Sequence, residues 1–373
     1  MSFGSSPSHD FLPGLGSIPD GRRIENARTP QPSRNLSPII DGSLDLPFPS
    51  VWNVVDTSGE SPKIRSGQSI NFWPEDSSII ACYGRNDDDT LSDEFWKFSL
   101  GEQQWIRLEV TGATPRAACG SVLVDNKIWF YGGISTLSFT TELHYLDLDK
   151  LEIVYPITTG DNPPPCALPL IAYYHPYLII WSGVSCSTPS SLHVLNTDEM
   201  NWQQITTDYI CRQGACGSII DSTLYVFGAS SPMSVLELDL ETFEFTLVPT
   251  TGTEPPRGLD SLTTFAAGNV IIALETFGFM SETKIYIFDI EHASWTCYAV
   301  PIWNENKEND SESGDGEARG QTGIVLYIPD ERKVVALSEG NEKFEKPVTE
   351  LSIGRSIAML NQKLDFLAML DAI

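Results

Sequence analysis

The sequence predicts an all-β fold: a six-bladed β-propeller with a disordered N-terminal arm and a C-terminal α-helix. Three observations carry that expectation. A large apolar or aromatic residue recurs six times at intervals of 53, 48, 49, 43 and 50 residues. An apolar run ending at Gly follows it in the same frame in most repeats. Each unit offers four strand-length segments, and four strands at a period near fifty residues mark a propeller blade.

Bulk composition agrees with one large closed β-architecture. The 373 residues are 41% apolar and include nine Trp, enough for a sizeable core. Fifty acidic against 23 basic side chains give a formal charge of −27. That charge repels phosphate backbones and anionic headgroups, so no nucleic-acid partner is expected. No apolar run reaches the length a membrane span needs, and Met1 to Asp10 lacks the basic start and apolar core of a signal peptide, so no membrane insertion is expected. Cys82, Cys119, Cys166, Cys186, Cys211, Cys216 and Cys297 are odd in number and scattered through strand-like segments. That pattern suits reduced, buried thiols and a cytoplasmic or nuclear setting.

The first element is the arm, residues 1–50. It holds eight Pro, five Gly and nine Ser without helical or strand periodicity, the composition of a disordered segment. Its charge is nearly balanced, so the acidic surface belongs to the propeller, 51–353. Thr29-Pro30 and Ser37-Pro38 are dipeptides that proline-directed kinases read, although Ser/Pro-rich linkers carry them without modification.

From Val51 the repeat begins. Trp52 pairs with Gly59, Trp105 with Gly112, Ile153 with Gly160 and Phe245 with Gly252, each seven residues apart, while Trp202 and Trp295 hold the same place without the Gly. A turn region follows each marker, and then comes Arg65, Arg116, Cys166, Arg212, Arg257 or Arg319. Next are an apolar run, a short polar turn and a second run: Ile79 to Gly84, Ile128 to Gly133, Leu178 to Gly183 and Leu224 to Gly228, with Val270 to Leu274 and Val334 to Leu337 lacking the closing Gly. A third alternating strand ends each unit, as in Glu94 to Leu100 or Leu143 to Leu148. The sixth repeat has no marker strand of its own, whereas Val51 to Val55 precedes any complete repeat. The expectation is that strand 51–55 becomes the outermost strand of the last blade, because an open blade would leave unpaired backbone groups.

After Gly354 the chain reads as a helix, 354–373, with two apolar stripes. Ile357, Leu360, Leu364 and Leu367 form one, and Met359, Phe366 and Leu370 the other. Docking on the propeller covers one stripe; a partner or a second copy, in a homodimer, covers both.

The second repeat holds the fullest motif: Trp105, then Arg116, then Trp129-Phe130-Tyr131-Gly132-Gly133, then Tyr145-Leu146-Asp147-Leu148. This pattern resembles the kelch-repeat β-propeller family, over Val51 to about Ile353. The period and the absence of any Trp-Asp dipeptide set it apart from WD-type propellers. Without a BTB domain or F-box that can be fitted before Val51, the resemblance implies an intracellular protein-interaction scaffold or adaptor, in a cytoskeletal or nuclear regulatory assembly, rather than an enzyme.

The catalytic inventory agrees. His144 and His193 share one repeat position, occupied by Trp96, Leu236 and Tyr286 elsewhere, so blade rotation separates them; a packing role is expected rather than a metal pair. The family includes copper radical oxidases, but no Tyr-Cys crosslink with two His can be placed. Cys211 and Cys216 lack two further zinc ligands, and Asp87-Asp88-Asp89 lacks the alternating spacing of a calcium loop. No cofactor is expected.

Contact residues are sought instead on the face made by inter-blade loops and the loops joining second to third strands. Phe139, Tyr209, Phe277, Phe279, Met280 and Trp303 place apolar side chains there, with Phe366 and Leu370 on the helix. The insertion Asn304 to Ala318 is acidic and would fend off wrong partners or bind a basic one. The alternative reading is a channel-mouth enzyme or a small-anion or glycan binder. Arg65, Arg116, Arg212, Arg257 and Arg319 would then form a basic ring, although stacking on aromatics or bonding loop carbonyls explains their recurrence without a ligand.

Overall fold

The computed structural model describes residues 53–136, 138–181, 183–184, 191–209, 211–229, 234–255, 262–275, 282–301, 324–329, 332–337 and 348–352. The arm 1–50, Trp52, the insertion 304–318 and the helix 354–373 lie outside the described residues. Among the described residues no helix is long and apolar enough to cross a membrane.

Six separate antiparallel sheets form, one per repeat. Blade one contains β2 (Ser69–Trp73), β3 (Ser78–Cys82), β4 (Phe95–Ser99) and β5 (Gln104–Leu108). Blade two contains β6 (Gly120–Val124), β7 (Lys127–Tyr131), β8 (Leu143–Asp147) and β9 (Glu152–Val154). Blade three contains β11 (Leu170–Tyr174), β12 (Tyr177–Trp181), β13 (Ser191–Asn196) and β14 (Asn201–Thr206), with β10 (Thr159–Gly160) added beside β14. Blade four contains β15 (Cys211–Ile220), β16 (Thr223–Ala229), β17 (Ser234–Asp239) and β18 (Phe245–Pro249). Blade five contains β20 (Leu262–Ala267), β21 (Val270–Glu275), β22 (Glu282–Asp289) and β23 (Ser294–Pro301), with β19 (Thr251–Gly252) beside β23.

Blade six uses both ends of the described residues. Its strands β24 (Ile324–Ile328), β25 (Lys333–Leu337) and β26 (Val348–Ser352) are completed by β1 (Asn53–Val54), antiparallel to β26. Asn53 faces Glu350 and Val54 faces Thr349, and the Val55 amide donates to the Val348 carbonyl at 2.9 Å. The inner strands touch in the order β2, β6, β11, β15, β20, β24 and back to β2, so the ring is closed.

The core lies between blade faces. Val55, Trp96, Phe98 and Trp105 meet Ile328, Val335, Leu337 and Val348 across the junction of blades one and six, and Ile80, Cys82 and Phe95 meet Ile128, Phe130 and Leu146 across the next. Second strands are sandwiched on both faces, which is why they read as unbroken apolar runs: every residue of β3 is buried. Outer strands are wetter, and in β5 only Trp105 is buried while Ile106 and Arg107 are exposed.

Local chemistry sets the turns. Where the third strand ends in Asp, the carboxylate accepts from the next turn's amides: Asp239 from Glu241 and Thr242, Asp289 from Glu291 and His292, and Asp147 from Lys150. Asn196 and Ser99 do the same in blades three and one. This is the physical content of the Asp at the end of the Tyr-Leu-Asp strand.

The seven-residue spacing also has a geometric cause. After the marker of one blade the chain crosses to the outer strand of the next, and the Gly lies against the carbonyl of that blade's marker. Gly59 faces the Trp105 carbonyl, Gly160 that of Trp202 and Gly252 that of Trp295, with φ of +83°, +86° and +88°. A Cβ at Gly160 would overlap the Trp202 carbonyl oxygen, whereas one at Gly101 would meet nothing. Gly160→Ala is therefore expected to lower stability by more than about 1 kcal/mol, and Gly101→Ala to change it by less than about 0.5 kcal/mol. Denaturant melts of the two variants check this, and equal effects would contradict it.

Candidate functional site

The loops between blades and between second and third strands emerge at the same end of the ring, because strands alternate in direction and the inner strands begin there. In blades one and two this end is built around two arginines. Arg65 precedes β2 and Arg116 precedes β6, and both side chains are buried. Each reaches a carboxylate just ahead of its blade's third strand. Arg65 donates through Nη2 to Glu94 and through Nε to Asn86 Oδ1 at 2.7 Å. Glu94 also accepts from Trp96 Nε1 and pairs with Arg107. Burial alone would raise the Glu94 carboxyl, but the Arg65 hydrogen bond and the nearby guanidinium charges hold it below the usual range.

Arg116 Nη2 lies 2.8 Å from Glu142 Oε2 and 2.5 Å from Thr114 Oγ1, and its Nε donates to the Thr114 carbonyl. The guanidinium sits 5.6 Å from the centre of the Tyr83 ring. Arg116 thus stacks, pairs and bonds a loop carbonyl, while Arg65 pairs with Glu94 and bonds the Asn86 side chain. Each keeps a buried Nη1 without a hydrogen-bond partner. Arg212 is in β15, while Arg257 and Arg319 lie outside the described residues.

Beneath Arg116 lies a ring cluster. The Tyr83 hydroxyl shares a 2.9 Å hydrogen bond with His144 Nε2, and the imidazole stacks on Phe130 at 5.0 Å. His144 is fully buried, and burial drives its pKa well below the ordinary value, with the Arg116 charge adding to the effect. His193 is also buried and shifted down by burial. Burial pushes the Cys119 thiol up to about 12, and the thiol donates to the Gly132 carbonyl. Burial thus favours a neutral imidazole at His144 and a protonated thiol at Cys119. Among the described residues no group of three or more His, Cys, Asp or Glu is placed to hold a metal ion. Asp87 to Asp89 form an exposed turn in which Asp88 accepts from Thr90.

Of the expected contact residues, Phe139 and Tyr209 are half-buried. Phe139 is bridged to Ile134 within its loop, and the Tyr209 ring lies 5.9 Å from that of Phe245. Phe277, Phe279, Met280, Trp303, Phe366 and Leu370 lie outside the described residues. The structure adds a cluster that sequence reasoning missed. The connector from blade two to blade three exposes Tyr155 by 44% and Ile157 by 90%, and Leu168 is exposed at its far end. Tyr155 is held over the arginine: its hydroxyl approaches Arg116 Nη2 at 3.5 Å, and its ring lies 5.5 Å from His144. Tyr131 anchors the same connector by donating to the Pro163 carbonyl at 2.5 Å. The available signal was an Ile between Pro156 and Thr158, an apolar residue where a turn needs none.

Two expectations follow. Arg116 is 2% exposed and Glu142 51% as side chains, so deleting the acid strands a buried charge, whereas deleting the base frees a carboxylate into water. Glu142→Ala is expected to cost about 3 kcal/mol and Arg116→Met less than about 1.5 kcal/mol, in denaturant melts; the reverse order would contradict the pairing. His144, with its folded pKa depressed, binds its proton only in the unfolded chain as pH falls through the unfolded value of about 6.5. Stability is complete above that pH and falls below it by up to about 1.4 kcal/mol per pH unit. His144→Phe is expected to lose this part of the slope in melts from pH 7.5 to 5.5, and parallel profiles would contradict it.

Comparison with known proteins matches residues 48–229 to the model of the KLHDC2/KLHL20/DRC7 Kelch-repeats domain. The chain is 22% identical to Kelch domain-containing protein 10 of Xenopus tropicalis over 227 residues, 55% of this chain and 54% of that protein. It is 25% identical to the Leucine-zipper-like transcriptional regulator 1 homolog of Drosophila melanogaster over 219 residues, 52% of this chain and 22% of the relative. Acyl-CoA-binding domain-containing protein 5 of Arabidopsis thaliana is 26% identical over 183 residues, 48% of this chain and 27% of that protein. The chain thus spans about half the length of the first of these relatives and about a quarter of the other two. Six blades, the Arg116 to Leu148 motif and these matches together make the chain similar to kelch-repeat β-propeller proteins, with the family model matching over 48–229.

Proposed function

We propose that the protein is an interaction scaffold or adaptor that holds a partner protein on the loop face of blades one to three. One observation carries the reading: three of the five exposed large apolar side chains among the described residues, Tyr155, Ile157 and Leu168, belong to the single connector from blade two to blade three. A connector needs none of them, and exposed aromatic and aliphatic anchors beside polar loops suit a protein interface. The neighbouring loops supply a polar rim in Glu142, Thr141 and Asp161, all exposed. Residues 1–50 and 354–373, which lie outside the described residues, belong to the same proposal, with Phe366 and Leu370 offered to a partner or a second copy. The free thiols of buried Cys82 and Cys119 support a cytoplasmic or nuclear setting. The pairing of Arg65 with Glu94 and of Arg116 with Glu142 supports holding over catalysis.

The test compares proteins retained by the intact chain with those retained by Ile157→Asp and by a chain lacking 354–373. Ile157→Asp is expected to weaken a retained partner at least about tenfold while leaving stability within about 0.5 kcal/mol. An unchanged set of retained partners at equal stability would remove the loop face from the proposal.

A further inference from the structure

Four outer strands are covered by the chain's own connectors. Ser58 bridges Gln104 and Thr111 bridges Glu152, both in parallel, while β10 and β19 run parallel to β14 and β23. The hydrogen bonds repeat: the Ser58 amide donates to the Gln103 carbonyl and the Trp105 amide to the Ser58 carbonyl, and likewise Thr111 to Leu151 and Ile153 to Thr111. In each case a Ser or Thr is followed by a Gly with positive φ lying against the marker's carbonyl.

Blade four departs from this. Six and seven residues after Trp202 stand Asp208 and Tyr209, so Tyr occupies the place of the Gly. A Cβ in that conformation overlaps the carbonyl, as at Gly160 and Gly252, and the connector takes another path. The Tyr209 amide donates to Thr207 Oγ1 at 3.1 Å, and its ring tilts against Phe245. Blade four is left with four strands, and among the described residues nothing pairs with the outer edge of β18. In register the Phe245 amide is equivalent to those of Trp105 and Ile153, which bond the covering connectors. The edge is also partly apolar and bordered by acid: Leu247 is 36% exposed, and Asp208, Glu241 and Glu244 are exposed.

We propose that the outer edge of β18 is a strand-addition site for an extended segment of a partner protein. The segment runs parallel to β18, carries Ser or Thr followed by Gly opposite Glu244 and Phe245, and is flanked by basic residues. The four covered blades define the backbone register, and the surrounding carboxylates define the charge. This site is independent of the loop-face reading, so Ile157→Asp is expected to leave it intact.

The probe is a synthetic peptide, Lys-Lys-Thr-Thr-Gly-Lys-Lys, added to the full chain, with residue-resolved hydrogen exchange as readout. Exchange of the Phe245 amide is expected to slow about tenfold at a peptide concentration ten times its Kd, and the same peptide with Ala for Gly is expected to leave it unchanged. In the protein, Asp208→Thr with Tyr209→Gly restores the connector: Phe245 exchange is expected to slow without peptide, and peptide binding to be lost. Should that variant fail to fold, the Gly and Ala peptides decide alone. Equal effects of the two peptides, or protection away from β18, would overturn the proposal. So would a concentration-dependent dimer that protects Phe245 without peptide, which would assign the edge to a second copy.

Discussion

The pairing of Asn53 and Val54 with Glu350 and Thr349 ties together the two ends of a ring whose blades have no core of their own. Each blade is a single sheet with apolar side chains on both faces, so it is stable only between two neighbours. Opening the ring would expose one face of blade one and one of blade six, together with the cluster of Val55, Trp96, Phe98, Trp105, Val335 and Leu337 that fills their junction. Closure also removes the lateral strand edge of β26 that would otherwise invite association. Everything at the loop end depends on this, because the loops are aimed by strands whose positions the ring sets.

Much of the fold could be read from residues because the repeat has mechanical reasons. The spacing from marker to Gly reflects a chain that crosses between blades and lays a Gly against the next marker's carbonyl, and the Asp ending a third strand reflects a turn that needs an acceptor. Where those residues change, the structure keeps the turn by other means, as with Asn196 and Ser99, which is why register could be followed through decayed repeats. The missing Gly after Trp202 was visible as an irregularity, but its consequence was not. Only the sheet order shows that, among the described residues, no strand covers β18.

The site was less legible, for a physical reason. Arg65 and Arg116 recur in register, and their partners Glu94 and Glu142 lie 29 and 26 residues away across a loop. Sequence spacing does not reveal such a pair until the second strand has turned back. Tyr155 and Ile157 were similarly hidden, since a short apolar stretch beside a strand reads as more strand. What emerges is a rigid ring whose polar framework is largely satisfied internally and whose connectors carry the variation. That division suits a scaffold, in which the blades fix geometry and the loops and the odd blade edge supply specificity.

Hydrogen exchange of the Val55 amide, bonded to the Val348 carbonyl, tests ring closure most directly. Closure requires this amide to exchange only with global unfolding, at the rate of amides in the interior strand β25 and with the same dependence on denaturant. Exchange of Val55 through a low-energy local opening while β25 stays protected would contradict it.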